Sequence, residues 1–192
     1  MQKAVFLDRD GTIIEDCGYP HERSQISFLP GASEAIRQLN KNGFKVIVVT
    51  NQAGVARGYF TEGTVREINK YLQEALAEKG ALIDGFYYCP HHPEGVIEPY
   101  RQVCHCRKPN PGMIEEAVRD FGIDVKKSFI IGDHLSDVEA GQRAGCRTIL
   151  LARPDSPAGS SATAVTPGYI APNLGEAVAW LLKLGTQGEK RL

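Results

Sequence analysis

The sequence AVFLDRDGT at residues 4–12 decides the fold, because an uninterrupted apolar run ends there in two carboxylates and a glycine. Apolar runs without alternation are typical of strands that are buried on both faces of a parallel sheet. The chain is therefore expected to form a mostly parallel sheet that begins with this run. Further runs of the same kind lie at residues 44–49, 82–88, 128–131 and 147–151.

Helical patterns separate these predicted strands along the whole chain. A glycine follows the end of each predicted helix, as is common one residue past a helix C-terminus. Strict alternation of strand and helix implies right-handed crossovers, and so a three-layer α/β sandwich with a Rossmann-like sheet. The short interval between residues 12 and 50 leaves no room for more than a minimal cap over the sheet. The helices are predicted at residues 32–42, 62–79, 111–121, 136–144 and 174–184.

Length and charge limit the classes of protein that this sequence can encode. The 192 residues suit one domain, predicted over 1–185, with a Pro/Ser/Gly-rich loop at 153–168 and a polar tail at 186–192. A net charge of -1 offers no basic surface for nucleic acid. No apolar run approaches the ~20 residues of a membrane helix, and the start of the chain lacks a signal-peptide core. We expect a cytoplasmic monomer that binds neither nucleic acid nor membrane.

Polar segments follow the predicted strands, at the edge where ligands of open α/β sheets bind. The first segment contains two carboxylates, the second a hydroxyl and amides, the third a pair of cations before a helix, and the fourth two more carboxylates. Such groups suit a phosphate, because phosphoryl transfer depends on positioning and charge neutralisation. The segments are DRDGT at 8–12, TNQAG at 50–54, RKPNPG at 107–112 and GDHLSD at 132–137.

In this order, the four segments resemble the motifs of the haloacid dehalogenase superfamily of phosphotransferases. The resemblance implies that Asp8 attacks phosphorus as the nucleophile, while Asp10 acts as general acid and then as general base. It implies that Thr50 and Lys108 stabilise the phosphoryl oxygens. It also implies a catalytic Mg²⁺ held by Asp8, the backbone carbonyl of Asp10 and Asp133, since hard oxygen ligands suit this ion.

Cysteines and histidines crowd into one loop, with CPHH at residues 89–92 and CHC at residues 104–106. Three thiols and one imidazole complete a tetrahedral Zn²⁺ site with no open position, which indicates a structural metal. Spacing alone leaves His91, His92 and His105 open as the fourth ligand. The metal is expected to order the loop that delivers the two cations of the third segment. The superfamily resemblance selects one set of zinc ligands, namely Cys89, His91, Cys104 and Cys106.

The loop also narrows the substrate class. YCPHHPEG, RQVCHCRKPNPGM and TNQAGVARGYF resemble the heptose-1,7-bisphosphate 7-phosphatases of this superfamily, which implies removal of a sugar 7-phosphate in the synthesis of bacterial surface glycans such as lipopolysaccharide. Histidinol-phosphate phosphatases share the zinc loop and are the alternative. A guanidinium at 107 favours an anionic substrate group over a cationic amino alcohol. The resemblance implies substrate contacts by Asp16, Cys17, Gly18, Tyr19, Asn51, Gln52, Ala53, Arg107 and His134.

Two functions of other classes compete with a sugar phosphatase. A 3′-phosphatase on nucleic-acid ends would need salt-sensitive binding to nucleic acid, against which the near-neutral charge argues. A receiver-like phospho-acceptor or a zinc-ordered binding module would not release phosphate repeatedly. Steady phosphate release therefore separates the enzyme from both binding proteins.

Overall fold

The computed structural model describes residues 1–152 and 165–188, with side chains to residue 184. Over these residues strands and helices alternate, joined by loops and three short 3₁₀ turns. The strands are β1 (Ala4–Leu7), β2 (Lys45–Asn51), β3 (Gly85–Cys89), β4 (Phe129–Gly132), β5 (Arg147–Leu151) and β6 (Tyr169–Ala171). The helices are α1 (Ala32–Lys41), α2 (Glu62–Ala77), α3 (Gly112–Phe121), α4 (Leu135–Ala144) and α5 (Leu174–Gly188).

The six strands form one sheet in the order β3-β2-β1-β4-β5-β6, and every pair is parallel. This is the doubly wound order, in which the direction of winding reverses beside the first strand. The reversal falls between β1 and β4, where the Asp8 amide donates to the Ile131 carbonyl at 3.0 Å. A crevice at the carboxyl ends of these two strands is the expected ligand site of such a sheet.

The sheet buries an apolar core on each face. Alternate residues of β1 point to opposite faces, so Val5 and Leu7 join the core under α1, α2 and α5, while Ala4 and Phe6 join the core under α3 and α4. All four side chains are fully buried. Burial on both faces explains why the β1 sequence is apolar without alternation.

Several predicted helix ends are confirmed by local geometry. Gly122 and Gly145 end α3 and α4 in the left-handed conformation, with φ of 62° and 86°, which side chains other than glycine rarely adopt. The Asn173 side chain accepts a hydrogen bond from the Glu176 amide at 2.9 Å, as the sequence predicts for the start of α5. α5 extends to Gly188, past its predicted end and into the segment predicted as a polar tail.

One strand, β6, was missing from the sequence-based prediction. Its three residues follow a proline and a glycine and carry no strong periodic pattern, so pairing with β5 rather than local propensity makes them a strand. The loop predicted at 153–168 lies mostly outside the described residues, as do the last four residues of the predicted tail. Within the described part of the chain, no helix combines the length and apolar character needed to cross a bilayer.

Candidate active site and metal centre

Residues from all four predicted segments line one polar cavity of about 260 Å³ at the carboxyl ends of the central strands. Asp8 and Asp10 reach it from the end of β1, Thr50 from the end of β2, and Lys108 from the loop before α3. The structure therefore brings together side chains as distant in the sequence as Asp8 and Asp137. The other lining residues are Asp16, Gly18, Tyr19, Asn51, Gln52, Arg107, His134, Ser136 and Asp137.

Lys108 lies at the centre of a buried charge cluster. Its Nζ is 2.8 Å from Asp8 Oδ1 and 2.6 Å from Asp137 Oδ1. The same ammonium donates a hydrogen bond to the Val49 carbonyl at 2.7 Å. Since three acceptors surround a group that is only 4% exposed, the lysine is fixed in position and presents its charge beside the Asp8 carboxylate.

Burial and charge act in opposite directions on this pair. Burial alone lowers the pKa of Lys108, but the carboxylates of Asp137 and Asp8 outweigh it, so the pKa lies above its ordinary value and the side chain stays cationic. Burial raises the pKa of Asp8, and Lys108 opposes that rise. A carboxylate held in low dielectric beside one cation is poorly hydrated, which suits a nucleophile.

Asp8 also belongs to an acidic cluster that fits a divalent cation. One carboxylate oxygen from each of Asp8, Asp133 and Asp137 lies within 4.8 Å of the others. Asp133 Oδ1 is buried with no hydrogen-bond partner among the described residues. A Cβ at residue 11 would lie 2.0 Å from Asp133 Oδ2, so Gly11, with φ of 80°, leaves the space that the carboxylate occupies.

The electrostatics of Asp133 agree with that fit. Desolvation raises its pKa to about 6, opposed by His134 and reinforced by the charges of Asp8 and Asp137. A divalent cation relieves the repulsion within such a cluster and satisfies the orphaned oxygen. Hard carboxylate oxygens at an open site are the ligands that Mg²⁺ prefers.

Asp10 lines the same cavity but belongs to a different hydrogen-bond network. Arg9 Nε donates to Asp10 Oδ2 at 3.1 Å, and Arg9 Nη2 donates to Oδ1 at 3.1 Å. Gln52 Nε2 donates to Asp10 Oδ2 at 2.9 Å and to Thr50 Oγ1 at 2.8 Å. The two aspartates of the first segment therefore meet different partners, as different chemical roles require.

The cysteine cluster of the zinc loop, residues 89–106, has the geometry of a four-coordinate metal site. The sulfur of Cys89 lies 3.4 Å from that of Cys104 and 3.1 Å from that of Cys106, and His91 Nδ1 lies 3.3 Å from Cys106 Sγ. These separations are far longer than the ~2.05 Å of a disulfide. They approach the edges of a tetrahedron with Zn–S bonds of about 2.3 Å.

Two observations resolve the choice of histidine that spacing left open. His91 joins the three cysteines, whereas His92 Nδ1 accepts from the Glu94 amide at 3.1 Å and His105 Nε2 contacts Glu115 Oε2 at 2.7 Å. Hydrogen bonding from Cys89 lowers the pKa of Cys106 to about 5, whereas hydrogen bonding with Cys106 raises the pKa of Cys89 and burial raises that of Cys104. Cys106 is therefore the thiol that ionises first, and a bound metal would favour the thiolate form of the other two. The donor set of three thiols and one imidazole fits zinc.

The zinc loop is tied by hydrogen bonds to the segment that carries Lys108. Arg107 Nη1 donates to the His91 carbonyl at 3.2 Å, and Asn110 Nδ2 donates to the Cys104 carbonyl at 2.9 Å. From the side of the sheet, Asn51 accepts from the Lys108 amide at 3.0 Å and donates to the Lys108 carbonyl at 3.1 Å. The backbone that carries Lys108 is thus held from the zinc loop and from β2.

The residues predicted to contact substrate separate into two groups. Seven of the nine line the cavity, and Tyr19 packs at its mouth with its ring centroid 4.9 Å from that of Tyr59. Cys17 and Ala53 do not line it: Cys17 is exposed, with its Sγ 3.8 Å from the Gln25 carbonyl, and Ala53 is buried. The amide of Gln52 lines the cavity but is hydrogen-bonded to three protein side chains.

Sequence reasoning missed Arg9, the side chain that contacts Asp10 most extensively. Alternation along an extended strand puts residue 9 on the face opposite to residues 8 and 10, where a charged side chain needs a buried partner. A charged residue at a position expected to be buried was the sequence signal that Arg9 needs a buried partner. Which partner satisfies the guanidinium depends on β2 and α2, so only the tertiary structure reveals it.

Comparison with known protein families finds two matching models. The model described as haloacid dehalogenase-like hydrolase matches residues 5–74, and the model described as HAD-hydrolase-like matches residues 105–177. Between them they include every catalytic position predicted from the sequence. The matches agree with the motif order on which that prediction rested.

Among curated proteins, the chain is similar to the D-glycero-beta-D-manno-heptose-1,7-bisphosphate 7-phosphatase of Escherichia coli K12, with 47% identity over 80% of this chain and 81% of that protein. The same-named protein of Pasteurella multocida is 45% identical over 82% of this chain and 85% of that one. A crystal structure of D,D-heptose 1,7-bisphosphate phosphatase from B. bronchiseptica, complexed with magnesium and phosphate, is 30% identical with a TM-score of 0.81. That alignment covers 95% of this chain and 99% of the other.

Proposed function

The chain belongs to the haloacid dehalogenase-like hydrolases, and from that premise we propose that it is a magnesium-dependent phosphatase that removes the 7-phosphate of D-glycero-beta-D-manno-heptose 1,7-bisphosphate. The observation that carries the proposal is the ammonium of Lys108, buried 2.8 Å from Asp8 at one polar cavity. A fixed cation beside a poorly hydrated carboxylate at the switch point of the sheet is suited to bind a phosphoryl group and transfer it.

In the first half-reaction, an oxygen of Asp8 forms a bond to phosphorus as the bond from phosphorus to the sugar oxygen breaks. Lys108 and Thr50 line the cavity and stabilise the charge on the equatorial oxygens. Asp10 donates a proton to the departing sugar oxygen. Opposite roles for the two aspartates are supported by their different surroundings, a lysine for one and a hydrogen-bond network for the other.

In the second half-reaction, Asp10 removes a proton from the water that attacks the phosphoryl-aspartate. The bond between phosphorus and Asp8 breaks, phosphate leaves, and Asp10 is protonated again for the next cycle. Asp10 therefore alternates between acid and base while its side chain keeps one orientation. This requirement makes the orientation of its carboxyl group a condition of both steps.

Asp8 and Asp133, with the backbone carbonyl of Asp10, would hold Mg²⁺, which neutralises charge on the phosphoryl oxygens when bound. Asp137 belongs to the same acidic cluster, but its Oδ1 lies against Lys108 and its Oδ2 accepts from the His134 amide at 3.1 Å. We therefore assign Asp137 to the positioning of Lys108. Its carboxylate keeps the ammonium cationic and pointed at the cavity.

The zinc site has a structural role in this proposal. Four protein ligands leave no open position for substrate or water, so Zn²⁺ orders the loop and takes no part in the chemistry. Its effect reaches the cavity through Arg107 and Asn110, which bond to backbone carbonyls of the zinc loop. Loss of zinc is expected to displace Lys108 through these bonds.

The cavity suits one phosphorylated end of a small sugar. A volume of about 260 Å³ lies near the lower end of the ~300–1,000 Å³ of small-molecule pockets. Arg107 and His134 extend cationic or hydrogen-bonding groups from it toward a second anionic group. The relatives named above act on a heptose bisphosphate, which favours that substrate over the cationic histidinol phosphate.

The wider setting of the enzyme is part of the same proposal. We take residues 1–185 to act as one domain and as a monomer, on a small sugar bisphosphate rather than on nucleic acid or membrane. None of the five cysteines forms a disulfide, which supports a reducing compartment, the cytoplasm. The near-neutral charge supports a small-molecule substrate over a nucleic-acid end.

A phosphate-release assay tests the function. Purified protein with Mg²⁺ is given both anomers of the heptose bisphosphate and, separately, histidinol phosphate. We expect many turnovers on the beta anomer, with phosphorus NMR showing that the 1-phosphate remains. Preferred turnover of histidinol phosphate would contradict the proposed substrate. Release of no more than one equivalent of phosphate would contradict the proposed phosphatase activity.

A further inference from the structure

Arg9 has the largest fully buried side chain among the described residues, and it takes no part in the two proposed half-reactions. A buried guanidinium is costly unless its donors are satisfied. Here it donates to three side chains: Asp10, Gln52 Oε1 at 3.0 Å and Asn69 Oδ1 at 3.2 Å. Because none of this charge reaches solvent, it acts on these partners and not on a ligand.

Arg9 binds Asp10 in a bidentate manner. Nε and Nη2 reach the two carboxylate oxygens at 3.1 Å each, which fixes the plane of the carboxyl group as well as its distance. The guanidinium itself is anchored at its far side, because Gln52 lies just past β2 and Asn69 lies on α2. The sheet and a helix thus both fix the guanidinium group that binds Asp10.

The two oxygens of Asp10 are not equivalent. Oδ2 faces donors from Arg9, Gln52 at 2.9 Å and Thr50 Oγ1 at 3.4 Å. Oδ1 is hydrogen-bonded by Arg9 alone among the described residues. A carboxylate oxygen has two lone pairs, so Oδ2 is saturated by protein donors while Oδ1 keeps room for a proton.

We propose that Arg9 is a positioning residue that holds the Asp10 carboxyl group so that Oδ1 is the atom that exchanges protons with the leaving sugar oxygen and with water. The inference rests on the proposed phosphatase function. In the first step the proton on Oδ1 moves to the sugar oxygen as its bond to phosphorus breaks. In the second step Oδ1 takes a proton from the attacking water as phosphate leaves Asp8. The proton count on Asp10 is restored after one cycle.

Leaving-group dependence separates this role from a general structural one. A sugar alkoxide cannot leave without a proton, whereas 4-nitrophenolate leaves unaided, so only the first needs a well-placed Asp10 in the phosphorylation step. We expect Arg9→Met to lower kcat on the heptose bisphosphate by about 100-fold, within the usual contribution of general acid–base catalysis. The pre-steady-state burst of 4-nitrophenolate from 4-nitrophenyl phosphate should slow by less than about threefold.

The conservative variant refines the test. Arg9→Lys keeps the charge but cannot bond both oxygens in one plane, so its kcat on the sugar ester should lie between the wild-type and Arg9→Met values. KM should stay near the wild-type value for both variants, because the Arg9 side chain does not reach the cavity. Leu72→Ala, on the buried face of α2, is the control for lost stability and should leave the ratio of the two rates unchanged.

Each outcome decides something definite. If the wild-type protein hydrolyses neither ester, the proposed function itself fails. If it does, but an Arg9 variant slows the 4-nitrophenolate burst by the same factor as kcat on the sugar ester, or changes only KM, the positioning role is wrong. A faster variant would also overturn it, because Arg9 would then restrain Asp10 in a resting orientation. Should Arg9→Met not fold, Arg9→Lys and Asn69→Ala are compared in the same assay.

Discussion

The carboxyl ends of the central strands (the sheet edge, with Asp8 and Lys108) and the zinc loop are two neighbouring regions that acquire their order in different ways. At the sheet edge, Asp8 and Lys108 are nearly inaccessible and are held by strand ends and by each other's charge. In the zinc loop, Val96 and Val103 are exposed by 70% and 83%, and a single 3₁₀ turn is the regular structure between its cysteines. A core orders the first region, and metal ligands order the second.

The difference matters because the two regions share Lys108. Its side chain belongs to the buried charge cluster, while its backbone lies two residues past the last zinc ligand and is bonded to Asn51. The position of Lys108, for which we propose a catalytic role, thus depends on a loop that has little apolar burial of its own. We infer that chemical damage at the sheet edge and structural damage in the loop are distinguishable by the order in which activity and stability are lost.

The largest effect is expected from Asp8→Asn, which tests the sheet edge alone. An amide is a poor nucleophile, so kcat should fall by at least about 10³-fold. Lys108 keeps its contact with Asp137, so the melting temperature should change by no more than a few degrees. The change is measured by phosphate release and thermal unfolding, with Asp120→Asn as an exposed carboxylate control on α3. Near wild-type turnover would disprove the nucleophile.

Cys104→Ser makes the opposite test, on the zinc loop alone. Loss of one thiolate should lower bound zinc well below one per chain and the melting temperature by about 5–10 °C, since ~2–4 °C corresponds to 1 kcal/mol in a chain of this size. Activity should fall as Lys108 loses its support. Zinc content, melting and turnover are measured on the same samples, with Cys146→Ala as the buried-thiol control. Lost activity with full zinc and unaltered melting would contradict a structural site.

Asp137→Asn acts on the side chain of Lys108, the residue that the sheet edge and the zinc loop share. Removing one of two carboxylates leaves the ammonium held by Asp8 and the Val49 carbonyl, and the pKa of Lys108 should fall toward its ordinary value because a stabilising charge is gone. We expect kcat to drop by roughly tenfold to 100-fold, with zinc content unchanged. A larger loss that is restored by raising Mg²⁺ would instead identify Asp137 as a metal ligand.

The smallest effect is expected from Asn51→Ala, which cuts the link from β2 to the Lys108 backbone. Two hydrogen bonds worth about 0.5–1.5 kcal/mol each are lost, so turnover should fall by several-fold in the zinc-loaded protein. In the Cys104→Ser background the same change should cost more, because neither support then remains. A purely additive double mutant would show that β2 and the zinc loop hold Lys108 independently.

Much of the fold was predictable from local sequence. Five strands, the five helices and their glycine ends follow from apolar runs and periodicity, because a strand covered on both faces, as β1, β2 and β4 are, leaves no polar alternation to confuse the pattern. β6 escaped this reasoning, since three residues without periodicity become a strand by pairing with β5. The start of β3 and the end of α5 also lie at other residues than predicted, because a periodic pattern defines the existence of an element more closely than its ends.

The candidate site was predictable as a set of residues but not as a geometry. Motif order pointed to Asp8, Asp10, Thr50 and Lys108, and the structure brings them to one cavity. The substrate-contacting roles predicted for the cavity residues remain predictions. Cys17 and Ala53, which the resemblance also predicts to contact substrate, do not line the cavity. Whether a side chain near a motif faces the ligand depends on loop conformation, which no local pattern encodes.

By itself, the sequence determined the order of the elements, the parallel sheet and the presence of a phosphate-type motif set beside a thiol-rich loop, because apolar periodicity and metal-ligand chemistry are local properties. Only the tertiary structure decided which histidine joins the three cysteines, which carboxylates flank Lys108, and that Arg9 turns back to hold Asp10. These are choices among partners distant in the chain. They are made by packing, burial and charge acting together in three dimensions.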